Sequence, residues 1–341
     1  MRIRKLLLST IVASLSVSAA STVLSCTRFL HVDPNQGVFV ARNMDWYERM
    51  QSRLIVYPRG IERQGSAEVN PLKWTSKYGS IVTTAYDTGA TDGMNEKGLA
   101  IHGLWLAVSD YGTRDESIPG LSILMSMQFY LDNFKTVAEA ARYTEANNFQ
   151  MLAFFHKSIG RWVKIHLALE DATGDSIIIE YIDGKPKIYH SKDYSVMTND
   201  PVYSWQLENL KQYSGFGGDK PLPGTTAAPD RFVRASYHGM NLPNAASQQE
   251  AVAEMFSVIA NAAAPYEPIP TMPGKIDHTL WGSVADLTHH IYYFHSNNNF
   301  TTVYANLDKF QLQAGASVMR LDLVKHPELS GDVTDKFEPV G

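Results

Sequence analysis

A single cysteine, Cys26, stands among 341 residues, inside the stretch "TVLSCTRFL". It directly follows a segment in which Arg2, Arg4 and Lys5 form a basic start and Leu6 to Ala20 an apolar run lightened with Ser and Ala. That is the layout of a secretory signal peptide, too short and too serine-rich for a membrane span. The expectation is a periplasmic or secreted protein from which residues 1–25 are removed. Export would permit disulfides, but one cysteine cannot form one within its own chain. The fold must therefore be held by its core. With 44% apolar and 11% aromatic residues, the chain has the material for a large one.

No repeat, low-complexity tract or linker divides residues 26–341, so one domain is expected. Removing 25 of the 341 residues, three of them basic, leaves 316 with 27 basic side chains against 35 acidic ones, a net charge of −8. Such a balance carries no footprint for nucleic acid. Strand patterns open the chain: 27–32 and 37–43 flank the turn-rich "DPNQG", and 53–58, "KYGSIVTTAYD" and "GLAIHGLWLA" follow. "TDGMNEKG" reads as a turn. "GLSILMSMQFYLDNF" reads as a helix burying Leu121, Leu124, Met125 and Gln128, and Thr136 as the cap of the next. Strands return over 162–199, helices over 203–263 and strands to the end. His289, His290 and His295 fall in an apparent strand, where neighbours face opposite ways and make no metal clamp. Strand blocks between helix blocks predict packed sheets with helices outside.

Cys26 admits three readings. It is a small buried apolar residue, or a lipid attachment site, since "VLSC" partly matches a lipobox, or an N-terminal nucleophile. In the third case, cleavage gives one residue both a thiol and an α-amine. That amine, with an ordinary pKa of about 7.7–8.0, can serve as the general base. The thiolate is the attacking form, and nearby cations would increase its population.

The third reading requires a carboxylate, a cation and oxyanion donors elsewhere. "CTRF", "ARNMDW", "TDGMNEKGLA", "VMTNDPVYSWQLENL" and "LPGTTAAPDRFVRASY" supply them in order. Together they resemble the choloylglycine hydrolase family of N-terminal nucleophile hydrolases, which holds penicillin V acylases and bile salt hydrolases. The resemblance implies an α+β fold, a four-layer αββα sandwich of two stacked, mostly antiparallel sheets flanked by helices. It implies Cys26 as nucleophile, Asp45 as acceptor for its α-amine, and Arg42 as a positive charge near the thiol. It further implies Asn199 as an oxyanion donor and Arg231 as a second active-site arginine. No metal or organic cofactor is implied, and relatives of this kind point to a homotetramer.

One position departs from the bile salt hydrolase pattern. Where that group has Gly-Leu-Asn, this chain has Gly103-Leu104-Trp105. The Trp105 side chain cannot replace a carboxamide, but its backbone N–H can still donate. Trp105 and Trp46 together favour an aromatic-lined acyl pocket, as in penicillin V acylases of the Gram-negative type. The expected reaction is hydrolysis of a linear amide carrying a phenoxyacetyl or fatty acyl group, N-acyl homoserine lactones included. A bile salt hydrolase and a non-enzymatic lipoprotein anchored through Cys26 are the alternatives.

Overall fold

A computed structural model describes residues 26–157, 159–265, 277–299 and 301–340. The leader expected from the sequence lies outside them. Strand Thr27–Asp33 turns into strand Gly37–Trp46 through only three residues. The turn is tighter than the five-residue loop the sequence predicts because the Asp33 carboxylate accepts the N–H groups of Asn35 and Gln36, at 2.8 Å each. This hairpin sits inside a seven-stranded sheet, between the short strand Val196–Thr198 and the strand His278–Asp286. Ile291–Ser296, Thr302–Asn306 and Gly331–Asp332 complete it, and only the last pairing is parallel.

A second sheet has nine strands, all antiparallel, with Gly89–Asn95, Ala100–Trp105 and Ile165–Glu170 at its centre. Its side chains alternate between two cores, as period-2 strands buried on both faces must. Ile81, Leu104, Ala168 and Ile178 face the first sheet, while Val82, Ile101, Leu167 and Ile179 pack outward. Helices α1 (Ile123–Asn133) and α2 (Val137–Glu145) cover that outward face. Helix α3 (Tyr203–Leu210) packs on α4 (Ala228–Met240), and α4 and α5 (Gln248–Asn261) cover the first sheet. The result is the four-layer αββα sandwich. Among the described residues, no helix is long and apolar enough to cross a membrane.

Three local readings are corrected. "TDGMNEKG" is mostly strand, Gly89–Asn95, with the turn confined to its end. Gly93 there serves close approach, since a Cβ would stand 2.5 Å from the Ile81 carbonyl oxygen. Of the face predicted for helix α1, Gln128 is buried as expected but the rest differs. Leu121 belongs to the preceding strand, and Leu124 and Met125 are half-buried, while Met127, Phe129 and Leu131 are buried. The helix lies between a sheet and an aromatic cluster in which Phe129 meets Trp74, Tyr143 and Phe149, so burial nearly all round erases its amphipathic signature. His289 and His290 lie in a turn, each on its own carboxylate, Asp286 at 2.8 Å and Asp308 at 3.0 Å.

A buried polar chain ties the sheets together. Arg28 of the first sheet pairs with Glu170 of the second, Glu170 holds His102 Nε2 at 3.0 Å, and His102 Nδ1 meets Asp92. Asp92 in turn accepts from Ser283 and Tyr292, back in the first sheet. All are 0–1% exposed. Pairing of this kind is what makes burial of so many charges tolerable.

Candidate active site

Cys26 stands at the head of the first strand, 4% exposed, with Sγ 3.8 Å from Met44 Sδ and 3.8 Å from the Asp45 carbonyl oxygen. Register brings the other groups to it. Arg28 pairs with Arg42 across the hairpin, so Cys26, Arg42 and Met44 share the face that looks into the space between the sheets. The Arg42 guanidinium is held by two backbone carbonyls of the second sheet, Thr91 and, at 2.7 Å, Gly103. It also lies 5.3 Å over the Trp281 ring. Fully buried and without a carboxylate partner at contact among the described residues, it places its charge beside the thiol.

Asn199 and Arg231 close the other side. Arg231, fully buried, donates to the Cys26 carbonyl and to Thr27 Oγ1 at 2.6 Å each, to Asn199 Oδ1 at 3.2 Å and to the Thr226 carbonyl at 2.8 Å. Asn199 Oδ1 also accepts the backbone N–H of Cys26. Two donors on Oδ1 fix the orientation of the carboxamide, leaving Nδ2 to donate to the Trp105 carbonyl at 2.9 Å. The next residue, Asp200, pins this loop by accepting the Ala107 N–H at 2.9 Å. In a strand, the N–H and C=O of one residue point to the same side. The Trp105 N–H therefore points to the side on which Asn199 sits.

Burial pushes the Cys26 thiol up, against the pull of Arg42 and Arg231. Burial likewise pushes Asp45 up to about 7, against Arg231 and the hydroxyl of Thr279, which donates to Asp45 Oδ1. Asp45 Oδ2 is buried with no hydrogen-bond partner among the described residues.

Part of this cluster borders a cavity of about 110 Å³, which Asn199 and Arg231 do not line. Cys26, Arg42, Asp45, Trp46 and Trp105 all line it, with Met44, Met50, Leu124 and Met127 among its apolar surfaces. The Trp46 and Trp105 rings stand 6.0 Å apart, and the Trp46 N–H donates to the Tyr86 hydroxyl at 2.7 Å. Every site residue expected from the sequence is thus in one cluster, with Asn199 and Arg231 bonded directly to Cys26. None of residues 215–224 lines the cavity. Sequence reading misses Thr279, Tyr86 and His156. Thr279 and His156 stand in apolar strands with no motif around them, and Tyr86 is marked only by its "AYDTG" turn, where its φ is +53°.

Residues 26–322 match the model of linear amide C–N hydrolases, choloylglycine hydrolase family. The chain belongs to that family. It is 38% identical to a penicillin V acylase of Pectobacterium atrosepticum, over 93% of this chain and 90% of the other. The structure of penicillin V acylase from Agrobacterium tumefaciens superposes with a TM-score of 0.84 at 41% identity, covering 93% of this chain and 98% of that one. The bile salt hydrolase/transferase of Clostridium perfringens is 26% identical over 76% of this chain and 85% of its own length. The protein is a linear amide hydrolase of the penicillin V acylase and bile salt hydrolase type, in the N-terminal nucleophile fold.

Proposed function

We propose that this protein is an exported acylase whose nucleophile is Cys26, freed as the N-terminal residue, and whose substrates are amides of an aryloxyacetyl or fatty acyl group. The observation that carries the reading is the junction of Cys26 with an apolar cavity walled by two tryptophans. With residue 25 attached, the Cys26 nitrogen is a peptide group with one hydrogen, spent on Asn199 Oδ1. Cleavage turns it into an amine, and the unpartnered Asp45 Oδ2 is the buried acceptor suited to hold it. The family match begins at Cys26, in keeping with a chain that starts there. A lipid on a thiol buried to 4% exposure would have to displace this cluster.

In the reaction the α-amine takes the thiol proton as Sγ bonds to the acyl carbon. The oxyanion forms beside the Trp105 N–H and the second hydrogen of Asn199 Nδ2, the first being committed to the Trp105 carbonyl. The amine then passes its proton to the leaving nitrogen and the C–N bond breaks, leaving a thioester. Water, deprotonated by the same amine, attacks the thioester; the C–S bond breaks and the acid departs. Met44, Trp46 and Trp105 hold the acyl group by its apolar surface.

The test is a side-by-side assay of penicillin V, a long-chain N-acyl homoserine lactone and glycocholate, with chain beginning at Cys26. Cleavage of either of the first two ahead of glycocholate supports the reading. Preference for glycocholate overturns the acyl assignment, and cleavage of none by folded protein overturns the acylase itself.

A further inference from the structure

The cavity beside Cys26 has a neighbour. A second cavity, of about 330 Å³, shares Thr88, Gly89, Ala90 and Leu124 with it but holds no member of the catalytic cluster. Successive residues of an α-helix turn by about 100°. Ile123, Met127 and Leu124 therefore follow one another round one flank of α1, and Leu124, Gln128 and Met125 round the next. The first three line the cavity beside Cys26 and the last three line the second one. Leu124 stands at the border. The facing segment repeats the pattern, since Thr91 belongs only to the first cavity and Asp87 only to the second. The Leu124 side chain seats on Gly89, where an added Cβ would stand 2.7 Å from Leu124 Cδ1 and 3.2 Å from its Cγ. Gly89 offers no side chain of its own, so the isobutyl group of Leu124 is the removable part of the partition. Leu124 is half-buried, as befits a side chain standing between two hollows.

We propose that Leu124 is a specificity residue: its side chain, seated on Gly89, closes the acyl cavity and sets the longest acyl chain that the enzyme cleaves. The inference rests on the acylase reading and narrows its substrate class to acyl groups that end at Leu124. Each methylene that fills the cavity as far as the partition adds binding by burial. A longer chain must displace Leu124 or fold back on itself, and overfilling a packed apolar space is costly. Behind the partition, Ile55, Met125 and Val340 supply apolar surface. Two of the arginines there are spent on carboxylates, Arg53 on Asp322 at 2.9 Å and Arg63 on Asp132 at 3.0 Å. An alkyl chain that enters therefore strands neither charge.

The experiment uses straight-chain acyl amides of one amine, of increasing length, assayed on chain beginning at Cys26. In the wild type, kcat/KM is expected to rise by up to about fourfold per methylene and then to fall sharply beyond one length. Leu124→Ala should move that cut-off to longer chains, by roughly the three carbons that the substitution removes or by more where the chain runs on into the second cavity. Met127→Ala, which widens the acyl cavity without reaching the second, should leave the cut-off in place. A wild-type profile without a cut-off overturns the inference while leaving the acylase standing. So does a cut-off that Leu124→Ala does not move, or that Met127→Ala moves as far. Failure to cleave any of the amides removes the acylase reading itself. Should either variant not fold, a crystal structure of the wild-type chain with the longest accepted acid bound decides. A terminal methyl against the Leu124 side chain supports the inference, and a chain end elsewhere overturns it.

Discussion

Asp45 offers a way to weigh the link between processing and the site. Its ordinary value is 3.8, and burial lifts it to about 7 in the chain whose Cys26 nitrogen is a peptide group. Below 3.8 the folded and unfolded chains are both protonated at this site, and Asp45 costs nothing. Between 3.8 and about 7 the unfolded chain releases its proton while the folded chain keeps it, so stability falls as pH rises. Above about 7 the full penalty stands. The difference between 7 and 3.8 is 3.2 units, or on the order of 4 kcal/mol at about 1.36 kcal/mol per unit. In chain beginning at Cys26, the α-ammonium supplies a positive charge to the same carboxylate and should remove most of that loss. Urea unfolding of the two forms between pH 5 and 8 reads the difference, with Asp45→Asn as the control that removes the Asp45 share of the slope in the longer form; the shifted histidines His31, His102 and His295 contribute to both forms. Equal slopes in the two forms, or a longer-form slope left unchanged by Asp45→Asn, would refute the pairing of Asp45 with the amine.

Other consequences are simpler to read. If Asn199 Nδ2 holds the oxyanion as proposed, Asn199→Ala should lower kcat by about 10²–10³-fold with a smaller effect on KM; steady-state kinetics checks this. Arg28→Met leaves Glu170 buried without its guanidinium partner and should cost about 3–5 kcal/mol in denaturant unfolding. Gly239→Ala places a Cβ 2.1 Å from Phe29 Cε2, between α4 and the first strand. It should destabilise by about 1–3 kcal/mol, read as a lower melting temperature.

Most of the strands were legible because their alternation and turn residues are local properties. The αββα layering was not; it followed from resemblance, since nothing in a strand's own sequence says which sheet it joins. The nine-stranded sheet shows why: apolar on both faces, its strands read as buried and no more. Helix α1 misled for the same reason, being surrounded by Phe129 and its ring partners rather than half-exposed. Cys26, Arg42, Asp45, Asn199 and Arg231 were found because each sits in a recognisable block. Thr279, whose hydroxyl holds Asp45, was not, because its contact spans 234 residues and leaves no periodic mark. His156 was hidden in the same way, as one histidine in an apolar strand whose neighbours only the fold supplies.

Whether Cys26 becomes an N-terminal nucleophile is decided by intact-mass analysis of the protein purified from expressing cells, before and after brief exposure to a slowly deacylated penicillin V analogue. The expected result is a chain that begins at Cys26 and gains one acyl group, located on the Cys26 thiol by peptide mapping. A chain that retains residue 25 while active, carries a lipid on Cys26, or takes the acyl group elsewhere would contradict it.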